Sequence, residues 1–93
     1  NFKLLLDVGH LKVSANSLGL KFSSELDKLI DFSDYLHLSD NDGIADKNYP
    51  ILKDSSMMEL LNNYNLSNKI ITLEIYDNLN IVTKSYELIS NII

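Results

Sequence analysis

Three ionisable side chains of the kinds that bind metal ions lie near the ends of three apolar segments. Asp7 ends the segment LLLD, His37 lies in YLHL and Glu74 lies in ITLE. His37 follows Asp7 by 30 residues and Glu74 follows His37 by 37 residues, which is roughly one strand–helix unit in each case. A carboxylate, an imidazole and a second carboxylate suit a divalent cation such as Mn²⁺, Mg²⁺, Co²⁺ or Zn²⁺. The residue types therefore predict a metal site, provided that the three segments are neighbouring strands.

A second stretch with chemical potential, HLSDNDGIADKN, runs from residue 37 to residue 48 and is rich in acidic and amide side chains. An EF-hand calcium loop needs oxygen ligands at positions 1, 3 and 5, glycine at position 6 and glutamate at position 12. With Gly43 at position 6, Leu38 falls at position 1 and Tyr49 at position 12. Two required ligands are missing, so the acidic residues at 40–42 are interpreted as turn-forming and supporting residues rather than calcium ligands.

The elements that would position these side chains alternate between strand and helix. Apolar runs predict strands at residues 2–7, 34–40 and 69–77. Helical spacing of apolar residues predicts helices at 21–32, 54–65 and 78–93. Suitable N-caps are Ser23 or Ser24 for the first helix and Asp54 or Ser55 for the second. Residues 8–20 are expected to form a glycine-containing turn and a loop.

This order predicts a single α/β domain over residues 1–93, with three consecutive parallel βα units joined by right-handed crossovers. The near-continuous apolar strands predict a sheet that is covered on both faces. Because side chains alternate along a strand, Glu74 shares a face with Thr72, and His37 shares one with Tyr35. If these faces coincide with that of Asp7, the three ionisable groups meet at the C-terminal edge of the sheet, where parallel α/β folds bind ligands.

Each of the three residues also has an ordinary structural interpretation when it is taken alone. An aspartate at a strand end often forms a turn or a helix cap, and a histidine in a strand is often a hydrogen-bonded core residue. Glu74 is harder to explain in this way, because an unpaired carboxylate among apolar residues is costly to bury. The metal-site hypothesis therefore depends on all three occurring at matching places in successive units.

Composition limits the class of partner. The chain has 93 residues, a net charge of −5, eight lysines, no arginine and no cysteine. An acidic chain without arginine is poorly suited to follow a phosphate backbone, and no apolar run approaches the ~20 residues that span a bilayer. We therefore expect a cytoplasmic protein that binds neither nucleic acid nor membrane. The absence of an initiator methionine suggests a part of a longer chain.

The motifs LLLDVGH, YLHLSDNDG with the following ADKNYP, and ITLEIY together resemble the sugar phosphate isomerase/epimerase family of the xylose isomerase-like TIM barrels, a group that includes the apurinic endonucleases. The resemblance covers essentially the whole chain, in the right order and spacing. It implies that residues 1–93 are the last three βα units, the C-terminal part, of a (βα)₈ barrel.

The resemblance also implies roles for individual residues. Asp7, His37 and Glu74 match the family's metal ligands, and Glu74 in addition matches its acid/base residue. His10, from the motif Asp-x-x-His, matches a residue that contacts substrate or a second metal. It would orient a hydroxyl group and stabilise negative charge on oxygen. A further metal-binding glutamate of the family lies on an earlier strand, so we expect the site within these residues to be incomplete and the fragment alone to be inactive.

Three further residues, besides His10, are expected at the substrate. Asp46 and Asn48 match the family's Asp-x-His pair after the seventh strand and would bind the substrate or shape its loop. Asn48 replaces the histidine with which multi-zinc endonucleases complete their metal cluster. Lys12 could meet a phosphate or carboxylate of the sugar, or could be a solvated loop residue.

The function implied is that of a metal-dependent isomerase or epimerase acting on a sugar or sugar phosphate through an enediolate-like intermediate. A metal-dependent phosphodiesterase of the apurinic endonuclease type is the alternative enzyme. A third alternative is a non-catalytic barrel fragment that binds a partner or assembles as a homo-oligomer, because three βα units leave two open sheet edges. The sequence leaves open which sugar and which metal would be used.

Overall fold

The computed structural model of the chain describes residues 3–93 and contains one parallel sheet with helices packed on it. The strands β1 (Leu4–Asp7), β2 (Ser33–Leu38) and β3 (Ile70–Leu73) are parallel and lie in the order β1-β2-β3. The helices are α1 (Val8–Ser17), α2 (Phe22–Leu29), α3 (Ser56–Leu61) and α4 (Leu79–Ser90), and a 3₁₀ turn (Ile30–Phe32) follows α2. The predicted α/β class and parallel pairing are confirmed. Phe2, predicted to open the first strand, lies outside the described residues.

Helix α1 occupies the segment that the sequence led us to expect as a turn and a loop, so that expectation is wrong. The helix begins immediately after β1 because the Asp7 side chain caps it, accepting a hydrogen bond from the His10 N–H at 2.9 Å. It ends at Ser17, and Gly19 follows with a φ of +70°, the left-handed conformation that glycine adopts without steric cost. The Leu20 N–H then donates to the Ala15 carbonyl at 2.8 Å, as in a Schellman motif.

The other helices are shorter than predicted, and one pair of predicted caps is wrong. Lys21 occupies the cap position of α2 without a side-chain cap bond, and Ser23 and Ser24 lie inside the helix. For α3, Ser55 is the cap, and its side chain accepts from the Met58 N–H at 3.1 Å. None of the helices in this part of the chain is long and apolar enough to cross a membrane.

One hydrophobic core forms between the sheet and the helices. The strands contribute alternate residues to it, and Leu36 and Leu38 of the central strand are completely buried. Every helix contributes at least one buried residue to the core; α1 contributes Val8, and its Leu11 packs against the core partly buried. The buried members of the core are Leu6, Val8, Leu26, Ile30, Leu36, Leu38, Ile51, Met57, Met58, Leu61, Leu66 and Ile89.

The opposite side of the sheet is open. Leu5, Tyr35 and Ile70 pair across the three strands, and their exposed fractions are 53%, 45% and 59%. The prediction of a sheet covered on both faces is therefore wrong for residues 3–93, in which the helices cover one face. We call the side that carries these three residues the open face. Strands β1 and β3 are the two edges of the sheet.

We expect Leu36→Ala to lower the free energy of unfolding by about 2–5 kcal/mol, because it leaves a cavity under the central strand. The same change at Leu18, which is 72% exposed, should stay within about 0.5 kcal/mol of the wild type. Denaturant titration followed by circular dichroism measures both values. Equal losses for the two variants would contradict the placement of the core.

Candidate metal centre

The carboxyl ends of the three strands lie side by side and carry the three predicted ligands. Asp7 pairs with His37 in the β1–β2 register, and His37 pairs with Thr72 in the β2–β3 register. Glu74 lies two residues beyond Thr72, and its N–H donates to the Leu38 carbonyl at 3.0 Å, which extends the ladder past the end of β3. Strand alternation then turns the Glu74 side chain to the same face as Thr72 and His37.

The three side chains converge at this edge. Asp7, His37 and Glu74 each offer one ligand atom, these atoms lie within 4.8 Å of one another, and all three residues are half-buried. His37 Nδ1 and Glu74 Oε1 are 2.8 Å apart. We call these three residues the rim cluster. The structure thus brings together the residues that the sequence predicted as metal ligands.

The donor set and the spacing of the rim cluster fit a divalent cation. Two ligands that lie about 2.1 Å from one ion, at right angles, are about 3 Å from each other. The 2.8 Å between His37 and Glu74 is close to that value. One nitrogen and two carboxylate donors suit Mn²⁺, Co²⁺ or Zn²⁺ in particular. Without a cation, the same contact is an imidazole–carboxylate hydrogen bond.

Asp7 is held in place because it is also the N-cap of α1. One of its carboxylate oxygens accepts from the His10 N–H at 2.9 Å. A carboxylate has two oxygens, so the cap bond leaves the other available to the rim cluster. The end of β1 and the beginning of α1 are therefore fixed by the same side chain that would bind the ion.

His10 and Asp46 form a pair close to Asp7, since the His10 N–H is bonded to the Asp7 carboxylate. His10 is in the first turn of α1, directly after the Asp7 cap, and its side chain is 68% exposed. Its Nδ1 lies 3.4 Å from Oδ2 of Asp46, which is 28% exposed. This contact is on the Nδ1 side of the ring, which leaves Nε2 for another partner. Both residues were predicted at the substrate, and the structure places them together.

Lys12 lies within α1 rather than in a loop, and its ammonium group is bonded inside the protein. Nζ donates to Asp40 Oδ1 at 2.8 Å and to the Asn41 carbonyl at 2.7 Å. The side chains of Lys12 and Asp40 are only 21% and 14% exposed. The predicted contact of Lys12 with a sugar phosphate remains a prediction, and its hydrogen bonds to Asp40 and Asn41 attach α1 to the loop after β2.

The acidic residues of that loop form turns, as the sequence predicted. Asp42 Oδ1 accepts from the N–H groups of Ile44 and Ala45, and these two hydrogen bonds lower the pKa of the Asp42 carboxyl group. Asn41 Oδ1 accepts from the Gly43 N–H at 2.8 Å, and Gly43 has a φ of +82°. Oδ1 of Asp42 and Oδ1 of Asn41 are thus bonded to backbone donors.

Asn48 is buried, with an exposed fraction of 8%, and its side chain contacts the main chain of Glu74. Its Nδ2 donates to the Glu74 carbonyl at 2.8 Å. Sequence reasoning missed this contact and expected Asn48 at the substrate or in the shaping of its loop. The backbone of Asn48 is left-handed, with a φ of +55°. Asparagine is the non-glycine residue that most readily adopts this conformation, so the residue type was the available signal.

Gly9 is a second residue whose part was missed. A Cβ atom at this position would lie 2.6 Å from Ser39 Oγ and 3.1 Å from the Ser39 carbonyl oxygen. The Gly9 carbonyl also accepts from Asn41 Nδ2 at 2.8 Å. The first turn of α1 therefore packs directly on the chain that leaves β2, and any side chain at position 9 would have to displace Ser39. A glycine two residues after a strand-end aspartate was the available signal.

Two cavities lie away from the rim cluster. One of about 400 Å³ lies between α1, α2 and α3, and one of about 490 Å³ lies between α4 and the chain at residues 50–53. No residue of the rim cluster lines either cavity. The candidate site is therefore identified by its three converging donor side chains and not by a cavity.

Comparison of the chain with protein-family models, with curated proteins and with solved structures found no match. The geometry of the chain's own residues therefore carries the functional argument.

We expect Lys12→Met to lower the free energy of unfolding by about 1.5–3 kcal/mol, because Asp40 would keep its burial and lose its charged donor. Lys28→Met is the matched control, since Lys28 pairs with Glu25 at 3.3 Å with a side chain that is 69% exposed. An exposed pair of this kind contributes about 0–1 kcal/mol. Urea titrations compare the two variants, and a loss at Lys12 no larger than that at Lys28 would contradict the internal role of Lys12.

Proposed function

We propose that this chain is the C-terminal part of a metal-dependent isomerase or epimerase that acts on a sugar or a sugar phosphate. The observation that carries the proposal is the convergence of the rim cluster at the carboxyl edge of a parallel sheet, where such sheets bind ligands. Its three residues come from three successive strands. They occupy the positions that the resemblance assigns to metal ligands.

In this proposal the three βα units are the last three of a (βα)₈ barrel. The parallel order, with helices on one side only, supports it. So does the open face, where Leu5, Tyr35 and Ile70 form an exposed apolar row below the rim cluster. The inside of a barrel of this kind is filled by layers of apolar side chains. Five further units would cover the open face and pair both edge strands.

The residues of this chain would share the chemistry as follows. A divalent cation held by the rim cluster would polarise the substrate carbonyl. The Glu74 carboxylate would accept a proton from the carbon beside that carbonyl. Return of the proton to the carbonyl carbon, with transfer of the hydroxyl proton between the two oxygens, would give isomerisation. Epimerisation would need a second acid that delivers a proton to the opposite face of the same carbon, and the resemblance implies the glutamate of an earlier strand for this part. His10, whose Nδ1 lies beside Asp46, would donate a hydrogen bond to the substrate oxygen that gains negative charge.

The contacts of Asn48 and the charge of the chain favour this function over an endonuclease-type phosphodiesterase. The resemblance assigns to the position of Asn48 a histidine that helps such enzymes to hold several zinc ions. In this chain the Asn48 side chain instead donates to the backbone carbonyl of Glu74. The net charge of −5 and the lack of arginine are also unfavourable for a groove that follows DNA.

We expect the full-length protein to bind Mn²⁺ or Co²⁺, and His37→Ala to weaken that binding at least about 100-fold, because a ligand is lost. Asp34→Asn is the control, since Asp34 is a half-exposed surface carboxylate that pairs with Lys3 at 3.2 Å. Isothermal titration calorimetry with each metal measures the affinities. Equal affinity in the wild type and His37→Ala would contradict the metal site.

We expect turnover of a sugar or sugar phosphate to exchange hydrogen with solvent, because the proton carried by Glu74 equilibrates with water. Incubation of the metal-loaded full-length protein with aldoses and ketoses in D₂O, followed by NMR, detects deuterium beside the carbonyl.

His10→Ala should lower the rate of this exchange about 100-fold and leave the Mn²⁺ affinity unchanged, because His10 lies outside the rim cluster. Cleavage of abasic DNA without any sugar exchange would contradict the proposal and favour the phosphodiesterase.

A further inference from the structure

Asn48 has a left-handed backbone conformation, which is uncommon among non-glycine residues. Its φ of +55° is the only positive φ of a non-glycine residue among residues 3–93. Left-handed backbone costs most residues about 1–2 kcal/mol and asparagine less, because its short polar side chain can bond locally. The side chain is at the same time 8% exposed. A buried residue in this conformation is held there by its surroundings, and strained positions of this kind often lie at functional sites.

The surroundings that hold Asn48 are the residues on both sides of Ile75. Asn48 Nδ2 donates to the Glu74 carbonyl at 2.8 Å, and the Asn48 carbonyl accepts from the Tyr76 N–H at 3.0 Å. Regular pairing of β3 with β2 ends at Leu73, and the Glu74 N–H makes the last bond to β2. Beyond this point, Asn48 supplies the partners that another strand would supply.

Asn48 is itself fixed to the end of the central strand. The next residue, Tyr49, exchanges two backbone hydrogen bonds with Asp40, at 2.8 and 2.9 Å. Asp40 in turn is bonded to Lys12 of α1. A continuous set of hydrogen bonds therefore leads from α1 and β2 through Asn48 to the backbone of Glu74.

We propose that Asn48 is a positioning residue for the metal ligand Glu74, and that it acts through the main chain rather than by touching substrate or metal. This inference rests on the proposed function, since it assumes that the rim cluster binds a cation. Glu74 has three rotatable side-chain bonds and is 35% exposed, so packing alone does not fix its carboxylate. The hydrogen bonds at both sides of Ile75 fix the point from which that side chain leaves the backbone. The carboxylate is thereby kept 2.8 Å from His37.

Two substitutions separate the hydrogen bond from the backbone conformation. Asn48→Asp keeps the size and the tolerance of the left-handed region, and it replaces the amide donor by an acceptor that faces the Glu74 carbonyl. Asn48→Gly keeps the conformation without steric cost and removes the side chain. Asn16→Ala is the matched control, because Asn16 Nδ2 also donates to a carbonyl of the loop after β2, that of Gly43, at 2.7 Å.

In the full-length protein, we expect both Asn48 variants to bind Mn²⁺ and Co²⁺ about 10–100-fold more weakly than the wild type, as is usual when a group that orients a ligand is removed. Weakening by Asn48→Asp would be especially informative, because its added negative charge should by itself attract a cation. The visible absorption spectrum of bound Co²⁺ should also change, which a loss of stability alone would not cause. Asn16→Ala should leave the affinity and the spectrum unchanged.

Wild-type affinity and an unaltered Co²⁺ spectrum in the Asn48 variants would overturn this inference, even if their melting temperatures fall. If Asn48→Asp does not fold, Asn48→Gly decides the question by the same two measurements. Failure of the wild type to bind either metal would instead overturn the proposed function, so the two failures are distinguishable.

Discussion

The hydrogen-bonded register of β2 with its two neighbours is the constraint on which the candidate site depends. Parallel pairing aligns the carboxyl ends of the strands, and alternation then decides which face each side chain takes. The complete burial of Leu36 and Leu38 on the helix side sets the opposite face for His37. A slip of one residue in the register of β1 or β3 would turn the carboxylate of Asp7 or Glu74 to the core side, where an unpaired charge is costly. The core and the rim cluster are thus specified by the same register.

The part of the molecule that follows from local patterns was predictable. Apolar runs identify the three strands, and strand–helix alternation indicates parallel pairing, so the convergence of Asp7, His37 and Glu74 could be derived from their places in the units. The sequence did not predict which elements cover each face of the sheet. A continuous apolar strand shows that both faces avoid water, but it does not show which part of a protein covers each of them.

Helix α1 was missed because its own sequence scarcely favours a helix. VGHLKVSANS contains glycine, two valines and two serines, residues of modest or low helix propensity, and it lacks a clear apolar stripe. The helix is stabilised at its two ends, by the Asp7 cap at the N-terminus and by the Gly19 turn at the C-terminus. The bond of Lys12 to Asp40, 28 residues away, adds a contact that no local pattern reveals. The same limit applies to Asn48, whose partner Glu74 is 26 residues distant.

The close packing of Gly9 on Ser39 has a consequence for the rim cluster. One methyl group at position 9 would displace the Ser39 hydroxyl and would push α1 and the chain that leaves β2 apart by a few tenths of an ångström, since the Ser39 carbonyl oxygen lies at 3.1 Å. Such a shift would carry Asp7 with it, because that residue is joined to the first turn of the helix. Gly9 therefore helps to set the shape of the rim cluster, although it has no reactive group of its own.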